Sequence, residues 1–153
     1  MARTLKRLLI AVEDGTSDEQ VVDSGLDLAV DEGAEVIFVH VVSIAGESFV
    51  PTDDVARVPE GAASDVLIEA CERAEARGLK TTSELLIGYP ARQIALLADE
   101  RDADLIVIGS RRLSALKRAV LGSTSHALLS ESNRRVLVVP LTADLPAHPA
   151  LVV

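Results

Sequence analysis

Five short strand-like segments, four of them apolar, are separated by segments with helical periodicity and constrain the fold of this 153-residue chain more than any other feature. The four apolar segments are Arg7–Val12, Val36–Val42, Leu105–Ile108 and Val136–Val139, and the more polar one runs from about Lys80 to Ile87. The first two are apolar along almost their whole length, which is typical of strands covered on both faces. Such strands belong to parallel sheets with helices on either side, so we predict an α/β fold.

Four helices are predicted between these strands. They run from Ser17 or Asp18 to about Glu32, from about Ala63 to Arg77, from Pro90 onward, and from Ser123 to about Ser132. Gly33 and Gly78 follow the first two helices and can end them, because glycine readily takes the left-handed conformation of a helix terminus. Pro90 marks the start of the third helix, since proline in a first turn costs no backbone hydrogen bond.

The segment from 43 to 62 interrupts this alternation. It contains two glycines and two prolines and shows no clear period, so we predict a long surface loop. We expect residues 1–140 to form one domain, a three-layer α/β sandwich with a five-stranded, mostly parallel sheet and four helices. Residues 141–153 are predicted to be a carboxyl-terminal tail.

The charge and the absence of long apolar runs exclude two kinds of partner. The chain has 24 acidic and 15 basic residues and a formal net charge of -9, whereas a nucleic-acid partner requires a basic face. No apolar run reaches the roughly 18 to 20 residues that a membrane-spanning helix needs. The amino terminus leads directly into a strand without the apolar core of a secretory signal. We therefore expect a cytoplasmic protein with neither nucleic acid nor membrane as a partner.

The segment from Leu105 to Thr124 has the pattern of a phosphate-binding loop. Its strand ends at Gly109, and a second glycine, Gly122, precedes Ser123 and Thr124 at the start of a helix. Glycine lets a ligand approach the backbone closely. The start of a helix offers unpaired N–H groups and the positive end of a dipole to an anion.

Four basic residues between these glycines favour the phosphate interpretation over a plain turn. They are Arg111, Arg112, Lys117 and Arg118. A local reversal of charge in an acidic chain suits a polyphosphate. The alternative is ordinary turn and cap chemistry within a solvated basic loop.

The carboxyl ends of the first and fourth predicted strands carry the residues that could share a ligand. In parallel α/β sheets ligands bind at these ends, where the strand order reverses. Gly109 follows the fourth strand, and Glu13 and Asp14 follow the first. These groups would face one crevice if the two strands are neighbours.

Four parts of the sequence resemble the universal stress protein (UspA-type) family. They are the opening Leu8-Leu9-Ile10-Ala11-Val12-Glu13, the strand Phe38-Val39-His40-Val41, the Gly88-Tyr89-Pro90 turn, and Gly109 to Thr124. The resemblance covers about residues 5 to 140 and implies the adenine nucleotide alpha hydrolase-like fold. Nucleotide-binding members carry glycine, two residues, glycine, nine residues, then glycine and serine or threonine. Gly109, Gly122 and Ser123 match that spacing, while Arg112 stands at the second glycine position.

The resemblance implies a set of nucleotide-binding residues. The set is Ala11, Val12, Glu13, Val41, Gly109, Arg112, Gly122, Ser123 and Thr124. Ala11 and Val12 would offer backbone groups to adenine, and Val41 would lie against its face. Glu13 would replace the family's aspartate, with Asp14 as a second candidate. The arginine would either obstruct the phosphate loop or pair with phosphate oxygens in a bidentate fork.

The leading functional hypothesis is a stress-response protein that binds ATP or AMP and acts as a nucleotide-dependent regulator. Mg²⁺ or Mn²⁺ could arrive with the phosphates. No structural metal is expected, because His126 and His148 lack cysteine or histidine partners at metal-binding spacing, and His40 is interpreted as a hydrogen-bonded strand-end residue. No catalytic residue is assigned, since neither a Ser-His-Asp order nor a P-loop lysine is present. The resemblance leaves slow ATP hydrolysis open.

Two other functions remain open. A stress protein without nucleotide would act as a dimeric interaction module, a hypothesis that Arg112 supports. An adenylation domain is the third, based on the faint anion-loop pattern of residues 14–17, although the chain is short for it. The resemblance also implies a homodimer through Val136, Leu137, Val138 and Val139. Self-pairing would cover an apolar edge strand that is otherwise prone to aggregate.

Overall fold

The computed structural model describes residues 4–13, 18–44, 52–59, 61–62, 64–110, 123–140 and 151–152. Their helices and strands follow the predicted alternation. In chain order they are β1 (Arg7–Ala11), α1 (Asp18–Glu32), β2 (Glu35–Ser43), α2 (Asp65–Ala76), β3 (Thr81–Gly88), α3 (Pro90–Glu100), β4 (Leu105–Gly109), α4 (Ser123–Glu131), β5 (Arg135–Val139) and β6 (Leu151–Val152). Within the described ranges, no helix combines the length and apolar character needed to cross a bilayer.

The strands form one sheet in the order β3-β2-β1-β4-β5-β6. The first five are mutually parallel, which confirms the predicted five-stranded parallel sheet and its four helices. The sixth strand lies in the segment predicted to be a tail. It pairs antiparallel to β5, with Val152 opposite Leu137 and Leu151 opposite Val138.

Two apolar layers lie on opposite faces of the sheet. Side chains of β1 alternate between them, because successive residues of a strand point to opposite faces. Leu8 and Ile10 pack with Phe38 and the inner faces of α1 and α2. Leu9 packs with Ile106 and the inner faces of α3 and α4. The helix–sheet–helix arrangement confirms the predicted three-layer sandwich.

Gly25 lets α1 approach the sheet closely. A Cβ atom at this position would overlap Cδ1 of Ile10. Glycine in a helix interior lowers helix stability by about 1 kcal/mol relative to alanine. The close packing of α1 on β1 offsets this loss.

The loop after β2 is more ordered in part than its sequence indicated. Arg57 lies opposite Leu86 in an antiparallel bridge. The N–H of Val58 donates to the carbonyl of Leu85, and that of Ile87 to Ala56, both at 2.9 Å. Residues 56–58 therefore cover the outer edge of β3, which would otherwise be open to pairing with another chain.

Gln93 of α3 fastens this edge cover through its side-chain amide. The side chain is 2% exposed. Its Oε1 accepts from the N–H of Ala56 at 2.8 Å, and its Nε2 donates to the carbonyl of Asp54 at 3.3 Å. Arg57 adds ion pairs to Glu100 and Glu84, and these two carboxylates raise the pKa of its guanidinium. Side chains of α3 and β3 thus hold the cover in place.

Gln93→Leu is expected to destabilise the edge cover by about 1–3 kcal/mol. The leucine has a similar volume but leaves the N–H of Ala56 and the carbonyl of Asp54 without these partners. Hydrogen exchange of residues 56–58 and 85–87 should accelerate, while that of 36–39 in the sheet interior should not. Equal acceleration in both regions would contradict a local role for this amide.

Candidate functional site

β1 and β4 are neighbours, which meets the condition set for a shared crevice. Leu8 lies opposite Leu105, and Ile10 lies opposite Val107. Continuing this register by two residues places Val12 level with Gly109. The strand order reverses between these two strands, and that is where α/β sheets form a ligand crevice at their carboxyl ends.

Two hydrogen bonds join Val12, the residue after β1, to β2. The N–H of Val12 donates to the carbonyl of Val39 at 2.8 Å. Nδ1 of His40 lies 2.8 Å from the Val12 carbonyl oxygen, which can only accept, so this nitrogen carries the proton. His40 is thus hydrogen-bonded at the strand end, as predicted. Since the Val12 N–H is engaged, the backbone group that Val12 could still offer a ligand is the second lone pair of its carbonyl.

Three further predicted residues lie at this edge of the sheet. Ala11 is the last residue of β1, and its partner in β2 is Val39. Val41 lies two residues further along β2, and both it and Ala11 pack partly buried against the α3/α4 apolar layer. Glu13 follows β1 with an exposed side chain. A carboxylate and two small apolar surfaces therefore lie at the carboxyl-terminal edge of the sheet.

The first turn of α4 is fastened to the end of β4 through Ser125. Its Oγ donates to the carbonyl of Gly109 at 3.2 Å, and the residue is 1% exposed. The N–H of Ser110 donates to the carbonyl of Val139 at 2.9 Å. This bond holds Ser110, the residue after β4, against β5. Ser123 and Thr124 begin the helix, so their N–H groups lack intrahelical partners, and the positive end of the dipole lies beside Gly109.

The remaining predicted residues lie outside the described part of the chain. These are Asp14, Arg111, Arg112, Lys117, Arg118 and Gly122, together with the side chain of Ser123. Sequence reasoning missed Ser125, because a third hydroxyl residue at a helix start looks like additional capping chemistry. Its contact depends on how α4 packs against β4, which residue spacing does not encode.

A cavity of about 470 Å³ lies at the opposite, amino-terminal edge of the sheet. Arg7, Glu35 and Lys80 are among its lining residues. Both cations pair with this carboxylate, Arg7 at 2.8 Å and Lys80 at 3.7 Å. The cavity is therefore separate from the β1–β4 crevice, and its lining carries three cations, Lys6, Arg7 and Lys80, against the one carboxylate of Glu35.

Comparison with known proteins relates this chain to one family. Residues 4–140 match the profile of the Universal stress protein family. Universal stress protein YxiE of Bacillus subtilis is 30% identical over 144 residues, which cover 87% of this chain and 97% of the relative.

Two solved structures share the fold. A universal stress protein in complex with cAMP superimposes with a TM-score of 0.69 at 24% identity, covering 91% of this chain and 99% of the other. The universal stress protein from Archaeoglobus fulgidus in complex with dAMP gives 0.62 at 22% identity, covering 89% and 98%. Their likeness confirms the adenine nucleotide alpha hydrolase-like architecture.

The profile match extends over most of the chain, and the relative from Bacillus subtilis aligns along nearly its full length. On these grounds the chain belongs to the universal stress protein family.

Proposed function

We propose that this protein binds an adenine nucleotide, ATP or AMP, in the β1–β4 crevice and acts as a nucleotide-dependent regulator of a cytoplasmic stress response. The observation that carries the proposal is the hydrogen bond from Ser125 to the Gly109 carbonyl. This bond holds the amino terminus of α4 beside Gly109, at the end of β4. Val12, the residue that follows β1, lies level with Gly109. A helix terminus and a strand end at a topological switch point suit a phosphate and its nucleoside.

The proposed roles divide along the crevice. Val41 and the backbone of Ala11 and Val12 would contact the base, and Glu13 would accept hydrogen bonds from the ribose hydroxyls. The phosphates would lie against Gly109 and the N–H groups that open α4. The proposed phosphate contacts are Gly109, Arg112, Gly122, Ser123 and Thr124.

Two observations support adenine nucleotides as the ligand class. Universal stress proteins with the same fold have been solved in complex with cAMP and with dAMP, both adenine nucleotides. The apolar surfaces of Ala11 and Val41 at the sheet edge would suit the flat face of a purine. The pocket would thus combine an apolar end for the base with a polar end for phosphate.

A divalent cation would be held mainly by the nucleotide. Mg²⁺ and Mn²⁺ prefer oxygen ligands and commonly bind through phosphates with one or two carboxylates. Among the described residues, no group of three or more His, Cys, Asp or Glu side chains could hold a metal ion. The phosphate oxygens would therefore supply most of the ligands, with water completing the shell.

Calorimetric titration of the full chain with ATP and Mg²⁺ tests this function. We expect saturable binding with a micromolar dissociation constant, equivalent to about -8 kcal/mol. The same titration with GTP serves as a control for adenine recognition. A flat ATP titration with folded protein would contradict the proposal.

The second candidate function is a dimeric interaction module without nucleotide. Arg112 favours it, because this residue stands where nucleotide-binding relatives have a glycine. Arg112→Gly separates the two functions in the same titration. If the parent binds ATP, the nucleotide proposal holds; if only the variant binds, the parent is the interaction module.

A further inference from the structure

The hydrogen-bond ladder between β1 and β2 ends at Val12. Backbone groups of β2 alternate between its two neighbours. The N–H of Glu35 donates to the segment before β1 and that of Val36 to the segment before β3, both at 2.9 Å. Odd-numbered residues of β2 therefore direct their N–H groups toward β1. The last rung of this ladder runs from the N–H of Val12 to the carbonyl of Val39.

The next rung of a parallel ladder would join the N–H of Val41 to the Val12 carbonyl. Among the described residues this bond is absent, and the pairing of β1 with β2 stops at Ala11 and Val39. The Val12 carbonyl accepts from Nδ1 of His40 instead, at 2.8 Å. A side chain of β2 thus occupies the acceptor that the backbone of β2 would otherwise use.

The alternation of β2 places His40 for this contact. His40 lies two residues after Phe38, so its half-buried side chain is on the α1/α2 face of the sheet. Val41 directs its side chain to the opposite face, against the α3/α4 layer. The imidazole therefore reaches the Val12 carbonyl from one face, while the N–H of Val41 lies in the plane of the sheet and points toward β1.

We propose that His40 is a positioning residue for the base end of the β1–β4 crevice. By holding the Val12 carbonyl, its imidazole keeps the ends of β1 and β2 apart and leaves the N–H of Val41 as a donor for the ligand. This inference rests on the proposed nucleotide binding, in which Val41 lies against the base. A purine offers ring nitrogens that accept hydrogen bonds, and a partly buried donor without a partner favours a ligand that supplies one.

His40→Leu tests this role, because leucine fills much of the same space without a donor. The nearest backbone donor in register with the Val12 carbonyl is then the N–H of Val41. We expect the ladder to gain this rung, so amide exchange of Val41, measured by NMR without nucleotide, should slow about tenfold relative to the parent. His40→Asn is the matched control, since its side-chain amide nitrogen can replace Nδ1 as the donor. Its Val41 exchange should equal that of the parent.

Calorimetric titration with ATP and Mg²⁺ measures the effect on the site. We expect His40→Leu to bind ATP about tenfold more weakly than the parent and His40→Asn to stay within about threefold. Urea unfolding should show no loss of stability in His40→Leu, whereas a purely structural role for the imidazole would produce one. If circular dichroism shows His40→Leu unfolded, His40→Val replaces it, because valine also lacks a donor and favours strands.

Two results would overturn the inference in a parent that binds ATP. One is unchanged exchange of Val41 in the folded leucine variant, and the other is equal ATP affinity of that variant and the parent. A flat ATP titration of the parent would contradict the proposed function and, with it, the role in base binding. The exchange of Val41 is measured without nucleotide, so it would still show whether His40 separates the strand ends, and the two failures are distinguishable.

Discussion

Phe38→Ala is expected to lower the free energy of unfolding by about 3–5 kcal/mol. Phe38 is 0% exposed in the middle of β2, where it pairs with Ile10 on one side and Ser83 on the other. Its ring fills the apolar layer beneath α1 and α2. Removing it deletes buried apolar surface and leaves a cavity that this layer can close only in part.

Urea unfolding followed by circular dichroism measures this loss. Val42→Ala is the matched control, because Val42 lies in the same strand but is 42% exposed. The control should change stability by no more than about 0.5 kcal/mol. If both variants lost the same small amount, the α1 and α2 layer would not be packed as described.

Ser125→Ala is expected to weaken ATP binding about tenfold, equivalent to about 1.4 kcal/mol. The alanine lacks the donor to Gly109 and leaves that carbonyl without this partner. Loss of such a buried bond costs about 1–3 kcal/mol. The first turn of α4 would then be held less firmly beside the crevice, so its N–H groups would be less well oriented toward phosphate.

Ser130→Ala separates this effect from a general change in the helix. Ser130 lies in the same helix with an exposed side chain, and its Oγ donates to the carbonyl of His126 at 3.4 Å. It carries the same chemical change but lies away from Gly109. We expect its ATP affinity in calorimetric titration to equal that of the parent. Equal affinities for all three proteins would show that Ser125 does not organise a phosphate site.

The sequence was sufficient to predict most helices and strands, because their ends carry residues with strong backbone preferences. Gly33 and Gly78 have φ of +66° and +73° and end α1 and α2, and Pro90 is the first residue of α3. The predicted start of α2, at about Ala63, lies two residues before its first helical residue, Asp65. Ser64 caps this helix by accepting from the N–H of Leu67, so the helix begins at the next residue.

Contacts between distant segments were beyond sequence reasoning. Residues 56–58 have no alternating apolar pattern, so sequence reasoning predicted a surface loop there and missed the pairing with β3. The two-residue strand β6 is too short to give a periodic signal. Gln93 lies on an apolar helix face, where only its hydrogen bonds to the edge cover explain a buried amide.

The candidate site was also predictable from the sequence only in part. Sequence reasoning made a shared crevice conditional on β1 and β4 being neighbours, and the strand order of the sheet meets that condition. Ser125 was missed, because its role exists only through the packing of α4 on β4. The nucleotide-binding roles of Ala11, Val12, Glu13, Val41 and the loop from Gly109 to Thr124 stay predictions.

A crystal structure of the full chain grown with ATP and Mg²⁺ is the most direct test of nucleotide binding in the β1–β4 crevice. The proposal predicts density for adenine beside Val41 and for phosphates between Gly109 and the first turn of α4, with the Arg112 guanidinium directed at phosphate oxygens. A crevice that contains the Arg112 side chain and no nucleotide, at saturating ATP, would contradict it.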